Sequence, residues 1–433
     1  MNETIRIEHL ARVEGHGGIL VELEGNEVAS VHFEILEGLR LMEGLVRGRG
    51  YQEVAPTLSR VCSICSAAHA VTSLRATEAA FGVEVSEQTR ILRELLYLGG
   101  NIASHALHVF LLAAPDYLDM GGAPAMAERH PDVVMVGLRL KKLGNRIQTV
   151  IGGRAIHPVN AIVGGFGKLP EIEELIALRT EILQGVADCQ SMLEFVAALP
   201  PANLCQSRTT FAWLASGNGP TYSAGEAIHV RSANQLQSIP IAEYRKLSNE
   251  ESVTHSHARH STFGGAPFMV GALARMMEQR PAGERAAAAM EKIGLKLPSD
   301  KPEDNNKAQA VELVMDMERA LEIVERFIHN GFQPESRPSI HPGRGTGTAG
   351  SEAPRGLLFH SYTYDERGRI ESADIVTPTA LNAASIEEHM RETVMQNPGT
   401  PVPLLTKKLE MLVRAYDPCI SCSVHLMQRR NGV

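Results

Sequence analysis

Two short cysteine pairs stand at opposite ends of this 433-residue chain, Cys62-Ser63-Ile64-Cys65 near the front and Cys419-Ile420-Ser421-Cys422 near the back. Thiolates at i and i+3 can close on one metal, because a single turn brings both sulfurs to the same side. Two such pairs make a four-sulfur site, which here would tie the start of the fold to its end. The placement argues against a zinc ribbon, whose pairs usually lie roughly 15–20 residues apart. On spacing alone a structural zinc or a simple iron–sulfur cluster stays open. Because residues 62–65 and 419–422 must meet, one continuous domain is expected rather than beads on a string.

Bulk properties narrow the class. Hydrophobic residues make up 44% and charged residues 21% of the chain, ordinary for a globular protein with a substantial core. A net charge of −8 argues against a nucleic-acid binder, which needs a basic stripe. No apolar run approaching the roughly 20 residues of a bilayer span is read from the sequence, so no transmembrane segment is expected. Met1-Asn2-Glu3-Thr4 lacks the basic and apolar regions of a secretory signal, and the expected location is cytoplasmic. Six cysteines in a chain of this length do not suggest a disulfide scaffold. Cys189 falls in an apolar helical pattern and reads as buried and inert, while Cys205 follows Pro200-Pro201 in a loop with its role open.

Ile19, Val21 and Leu23 alternate with Glu22 and Glu24, and Gly25-Asn26 turns the chain toward Val31, Phe33 and Ile35, which predicts a hairpin with one wet face. Apolar spacing becomes helical over 87–112, and again over 132–150, 170–198, 282–294, 306–330, 384–394 and 402–414. Residues 357–364 and 370–376 read as a second hairpin. Gly343–Gly350 is of low complexity and leads into Glu352–Gly356. The expected class is α+β, predominantly helical, with small peripheral antiparallel β elements.

The residues around the cysteines carry a sharper signal. Arg60-x-Cys62-x-x-Cys65 and Asp417-Pro418-Cys419-x-x-Cys422-x-x-His425 resemble the two signatures of the nickel–iron hydrogenase large subunit. Arg12-Val13-Glu14-Gly15-His16 is similar to that family's N-terminal R-x-E-G-H element. Gly152-Gly153-Arg154, His157-Pro158 and Gly164-Gly165-Phe166 resemble its central segment. Glu352-Ala353-Pro354-Arg355-Gly356 looks like its E-A-P-R-G loop, and Val376-Thr377-Pro378-Thr379 like the V-x-P-T that follows. The resemblance runs from about residue 5 to residue 425, in the family's order.

It implies a catalytic subunit that reversibly cleaves H2 to protons and electrons. Nickel would take Cys62, Cys65, Cys419 and Cys422, with Cys65 and Cys422 also bridging to an iron that carries carbon monoxide and cyanide. Polarizable thiolates suit low-valent nickel. Glu14, by itself an ordinary solvated acid, becomes the proton gate that takes a proton from Cys419. Arg355, by itself a surface arginine, would point its fixed fork over the open metal face, with Pro354 lining the same pocket. Asp417 would orient Arg355, or else cap a helix ahead of Cys419. Glu43, His425 and the backbone carbonyl of Ile375 line up with a third site for magnesium or iron. Iron–sulfur clusters would lie only in a partner small subunit, because this chain's paired cysteines are spent on one centre.

Local wording of the motifs, with Ser104 where some membrane-bound relatives have aspartate, looks closest to the cytosolic bidirectional group linked to NAD(P). That resemblance implies NAD(P)- or flavin-binding diaphorase subunits as further partners. A different acceptor, deazaflavin or heterodisulfide reductase, is the alternative, as is a redox-inert homologue of the complex I quinone-site subunit. Ser63 replaces a common glycine and would add a hydrogen bond to a sulfur or cyanide. In the family a maturation protease often cuts after the final histidine. The polar tail 426–433 would thus be removed, leaving a domain of residues 1–425.

Three features are set aside. His255-x-His257-x-x-His260 has metal-like spacing but reads as a polar loop. His105 and His108 read as packing or support behind the centre. Gly345-x-Gly347 lacks the Lys-Ser/Thr and strand–helix frame of a phosphate cradle.

Overall fold

The computed structural model describes residues 2–25, 27–38, 41–215, 225–233, 235–277 and 284–424. His425, the tail 426–433 and the expected cut between them lie outside the described residues, as does Asn26 of the first expected turn.

Helix dominates, as the periodicity predicts. Glu87–Leu107, Pro131–Gly152, Ile172–Ala198, Asp304–Asn330 and Val402–Ala415 lie within a few residues of their expected bounds, and Glu284–Lys292 falls inside another. Pro378–Gln396 is longer than the 384–394 expected, because a proline at the first helical position starts a helix without losing a bonded N–H. The long helix Ser66–Phe81 has no counterpart in the sequence reading. Twelve of its sixteen residues are buried, so small side chains cover every face and no amphipathic period appears.

The helical run Glu87–Tyr117, which passes through a π-helical segment at His108–Ala113, is longer and more apolar than the sequence reading allowed. By length and composition it could cross a membrane, with a mean hydropathy of 1.4 over its most apolar window, but 83% of that window is buried inside the protein. It packs against Pro131–Gly152 and Asp304–Asn330 as a core helix.

Small sheets flank the helices. The predicted first hairpin, Gly17–Glu24 with Glu27–Ile35, pairs Ile19 with Phe33 and Val21 with Val31 and gains Asn2–Ile7 as a third strand. A second sheet runs Gly345–Ala353, Gly356–Tyr364, Ile370–Val376, all antiparallel. The glycine-rich stretch is therefore a strand. Its glycines are a packing device: a Cβ on Gly345 would stand 2.2 Å from the Ala80 carbonyl, and one on Gly347 2.1 Å from that of Ala76. Only a bare strand edge can lie this close to the helix Ser66–Phe81. A four-stranded sheet, Gln235–Pro240, Ala227–Ser232, Thr210–Ala215 and Phe268–Met269, was not read from the sequence.

One apolar cluster contains Ile5, Ile19 and Phe33 from the front of the chain and Leu409, Val413 and Ile420 from the back, along with all four paired cysteines. Charge closes the same junction. Asp116, 6% exposed, receives Arg12 at 2.5 Å and Arg414 at 2.6 and 2.9 Å, and Arg414 also donates to the Ala11 carbonyl at 2.9 Å. Removing that carboxylate would take the main counter-charge from the buried Arg414, which would keep only Glu410 at 3.2 Å, and from the half-buried Arg12.

Candidate metal centre

Cys65 caps the helix Ser66–Phe81, where the free N–H groups favour an anionic sulfur. Its own N–H donates to the Cys62 sulfur at 3.1 Å. His157 fixes this turn from outside: its N–H donates to Ser66 Oγ at 3.1 Å, and its Nδ1 lies 2.9 Å from the Ser59 carbonyl. That is the work of the central His-Pro element. At the other end, the Cys419 N–H donates to Thr379 Oγ1 at 2.8 Å, so the V-x-P-T element holds the second pair.

The two pairs meet. All four Sγ atoms are buried and lie within 4.8 Å of one another, with Cys62 and Cys419 Sγ 3.5 Å apart. Burial opposes the thiolates of Cys65, Cys419 and Cys422. Thiol donors from Cys419, Cys422 and Cys62 nevertheless hold Cys65 well below its ordinary value, while burial and the neighbouring sulfur charge push Cys419 and Cys422 well above theirs. Cys419 and Cys422 resist ionising by themselves, and a soft cation among the sulfurs would let them. The donor set therefore fits a thiolate-bound metal group.

Glu14 forms a parallel bridge with Cys419, and the Ile420 N–H donates to the Glu14 carbonyl at 2.9 Å. Its carboxylate lies 3.1 Å from Cys419 Sγ through Oε2, which also accepts the Ser421 N–H at 3.2 Å, while Oε1 accepts the Ser421 hydroxyl. Gly15, at φ +87°, makes the contact possible, since a Cβ there would stand 2.8 Å from Ser421 N.

Pro354 and Arg355 form the two-residue turn between Gly345–Ala353 and Gly356–Tyr364. This turn carries Arg355 into the interior, 3% exposed, where Nε donates to the Asp417 carbonyl at 2.8 Å and Nη2 to Asp417 Oδ1 at 3.0 Å. Nη1 is buried with no partner among the described residues. Burial works against the Arg355 charge, but Asp417 and the thiolates of Cys419, Cys62 and Cys65 more than restore it and hold its pKa well above the ordinary value. Asp417 thus orients Arg355 rather than capping a helix. It sits at φ 52° and is steadied by Gln309 Nε2 at 3.1 Å.

Behind the turn lies a polar array with no local signature in the sequence. Arg275 donates to Glu312 at 2.6 Å and to Glu352 at 2.9 Å, and reaches the carbonyls of Ala353 and Pro354 at 3.3 Å. His105 Nε2 lies 2.9 Å from Glu312, and His108 lies between Gln309 and the Arg414 carbonyl. Both histidines are buried and hydrogen-bonded into this array. A second chain, His69–His360–Tyr362–Ser73, runs beside Cys65.

Glu43 is separate from the thiols. Its pKa is pushed up to about 8 by burial, opposed by a backbone hydrogen bond and aided by Asp374 and Glu250, and its Oε2 has no partner among the described residues. A buried carboxylate oxygen lacking a donor fits a hard cation. Ile375, on the neighbouring strand beside Asp374, is 2% exposed.

Ser63 is exposed, so it does not serve the buried sulfurs as expected. Ser104 is buried, its hydroxyl unpartnered among the described residues. Cys189 and Cys205 are buried thiols, each raised to about 12 by burial, and Cys205 donates to the His389 carbonyl at 3.7 Å.

Comparison with known proteins agrees with this arrangement. A family model described as nickel-dependent hydrogenase matches residues 40–132 and 221–425, and a HoxL-like model matches residues 4–37. The chain is 37% identical to sulfhydrogenase 1 subunit alpha of Pyrococcus furiosus, covering 98% of each, and 35% identical to sulfhydrogenase 2 subunit alpha of the same organism, covering 98% of this chain and 99% of that one. Its fold is similar to that of an NAD+-reducing [NiFe]-hydrogenase in the H2-reduced state, with a TM-score of 0.87 at 24% identity over 98% of this chain and 99% of that one.

Proposed function

The chain belongs to the nickel-dependent hydrogenase family as a large subunit that activates H2, and from that premise we propose how its residues divide the work. Cys62, Cys65, Cys419 and Cys422 would hold nickel, with Cys65 and Cys422 shared with an iron bearing carbon monoxide and cyanide. When bound, that group supplies the redox and Lewis-acid chemistry that parts H2 into two protons and two electrons. The protein's share is proton handling and electrostatics. Cys419 receives a proton and Glu14 takes it over, 3.1 Å away, while Ser421 holds the acceptor carboxylate still. This contact is the observation that carries the reading.

Arg355 supplies a fixed positive fork above the sulfurs, its free Nη1 available to the iron's diatomic ligands or to hydrogen, with Pro354 keeping water out. Glu43 and the Ile375 carbonyl would hold magnesium or iron at the third site, with His425 as a further ligand. Residues 1–425 would form one domain, and a maturation protease would remove 426–433. The subunit would work in the cytoplasm, passing electrons to a small subunit with iron–sulfur clusters and on, through diaphorase subunits, to NAD(P).

The acceptor reading rests on the local wording around Cys65, Ser104 and Cys422. It is tested by supplying the purified complex with H2 and either NAD+ or NADP+. Reduction of either nicotinamide supports it; reduction of a viologen dye but of neither nicotinamide overturns it. Intact mass of the nickel-loaded subunit tests the cleavage: a mass that includes 426–433 removes the protease from the scheme.

A further inference from the structure

The histidine loop set aside above does not stay a simple polar loop. His255 and His260 come from it, His32 from the strand Glu27–Ile35, and Glu387 from the helix Pro378–Gln396. One ligand atom each from His32, His255 and Glu387 lies within 4.8 Å of the others. The rings of His32 and His255 are 4.2 Å apart, and those of His255 and His260 5.5 Å. His255 Nε2 is 2.7 Å from Glu387 Oε1, and His260 Nδ1 is 3.7 Å from Oε2.

Three imidazoles around one carboxylate leave more ring nitrogens than partners. Nδ1 of His32 and Nε2 of His260 are buried without a hydrogen bond among the described residues, and His260 is only 9% exposed. An unsatisfied buried acceptor is costly, and native interiors rarely keep two side by side. The Phe33 N–H donates to Glu387 Oε1 at 2.8 Å, which orients the carboxylate as an outer partner orients a metal ligand. His257 faces elsewhere, with its N–H on the Ile35 carbonyl and Nδ1 near the Glu37 carbonyl, both at 2.7 Å.

We propose that His32, His255 and Glu387, with His260 beside them, form a second metal site for a borderline divalent ion of the zinc type, distinct from the four-thiolate centre. Two imidazoles and a carboxylate are a recognised zinc donor set, and all three side chains come from different elements. The ion would staple the histidine loop to the N-terminal sheet. That loop also carries Glu250, which pairs with Arg245 at 2.7 Å and whose charge acts on Glu43. The staple would therefore hold fixed one wall beside Glu43.

The test uses the nickel- and iron-loaded complex, treated with a mild chelator and then titrated with zinc. One zinc per large subunit is expected, with a zinc-edge absorption shell of nitrogen and oxygen at roughly 2.0–2.1 Å and no sulfur. His255→Gln and Glu387→Gln should each weaken zinc binding at least tenfold while nickel and iron content stays unchanged. His32→Gln leaves the His255–Glu387 hydrogen bond intact and should do the same, which covers the case of a loop variant that fails to fold. Amide exchange over 249–266 should slow on adding zinc to the wild type only. No zinc retained by the wild type, sulfur in the shell, or equal affinity in all three variants overturns the proposal and leaves a hydrogen-bonded cluster.

Discussion

Glu14→Gln separates proton handling from assembly. The amide has the shape of the carboxylate and can still meet the Ser421 N–H and hydroxyl, so the backbone bridge to Cys419 should persist. What weakens is hydrogen bonding to a charged acceptor, worth about 1.5–3 kcal/mol per bond, which becomes neutral bonding at about 0.5–1.5. Over the two Ser421 bonds a loss of about 2–3 kcal/mol stays below the ~5–15 kcal/mol of a folded protein. Folding and metal content should survive. The rate should not, because an amide cannot accept the proton that leaves the Cys419 sulfur 3.1 Å away. Positioned acid–base groups contribute about 10²–10⁴-fold, or ~3–5 kcal/mol of barrier. Glu14→Asp draws the carboxylate back by about 1.5 Å, one carbon–carbon bond, and should fall between the two. Hydrogen oxidation with a viologen dye, metal analysis and H/D exchange on the same preparations decide the matter. Unchanged nickel and iron with exchange near the wild-type rate would refute the reasoning, since protons would then leave by another route.

Cys65→Ser and Cys422→Ser should each abolish stoichiometric nickel and iron, read by metal analysis, because a hard hydroxyl does not replace a soft thiolate in the four-sulfur donor set. Arg355→Lys should keep the metals and lower turnover about 10²–10³-fold, the usual cost of one lost charge-stabilising donor, since a single ammonium nitrogen lacks the rigid planar fork that meets Asp417 through Nε and Nη2 while Nη1 points elsewhere. Glu43 sets a pH dependence. Its folded pKa of about 8 lies above the ordinary carboxylate value of 4.5, so between these values the unfolded chain has released a proton that the folded chain still holds, and stability falls as pH rises. Glu43→Gln should shrink the drop in melting temperature between pH 5 and pH 8 measured in the absence of divalent cations; an equal drop in both proteins would assign the slope to other groups.

What the sequence makes legible follows the range of the interaction. The cysteine pairs, the Pro354-Arg355 turn and the long amphipathic helices are local patterns, and they stand where those patterns place them. The helix Ser66–Phe81 is hidden because it is buried on every side, so its composition carries no period. Arg275 and Glu312 were missed for a different reason: neither lies in a short motif, and their partnership with Glu352 exists only once three distant segments pack. The histidine loop shows the same limit. His255 and His260 can be read in one line, but His32 and Glu387 join them only through the fold. Ser63 misled because spacing says nothing about which way a turn residue faces.

The meeting of the two chain ends also sets a clock. Cys62 and Cys419 are 357 residues apart, and at about 5–20 residues per second a ribosome needs roughly 20–70 s to travel from one to the other. Throughout that interval the first thiol pair is made and its partners are not. Half of a metal-binding site is thus present in the nascent chain, open to oxidation or to capture of the wrong ion. Order of synthesis makes correct loading a late event, and any cell making this protein must keep Cys62 and Cys65 reduced and unoccupied until the final turn arrives.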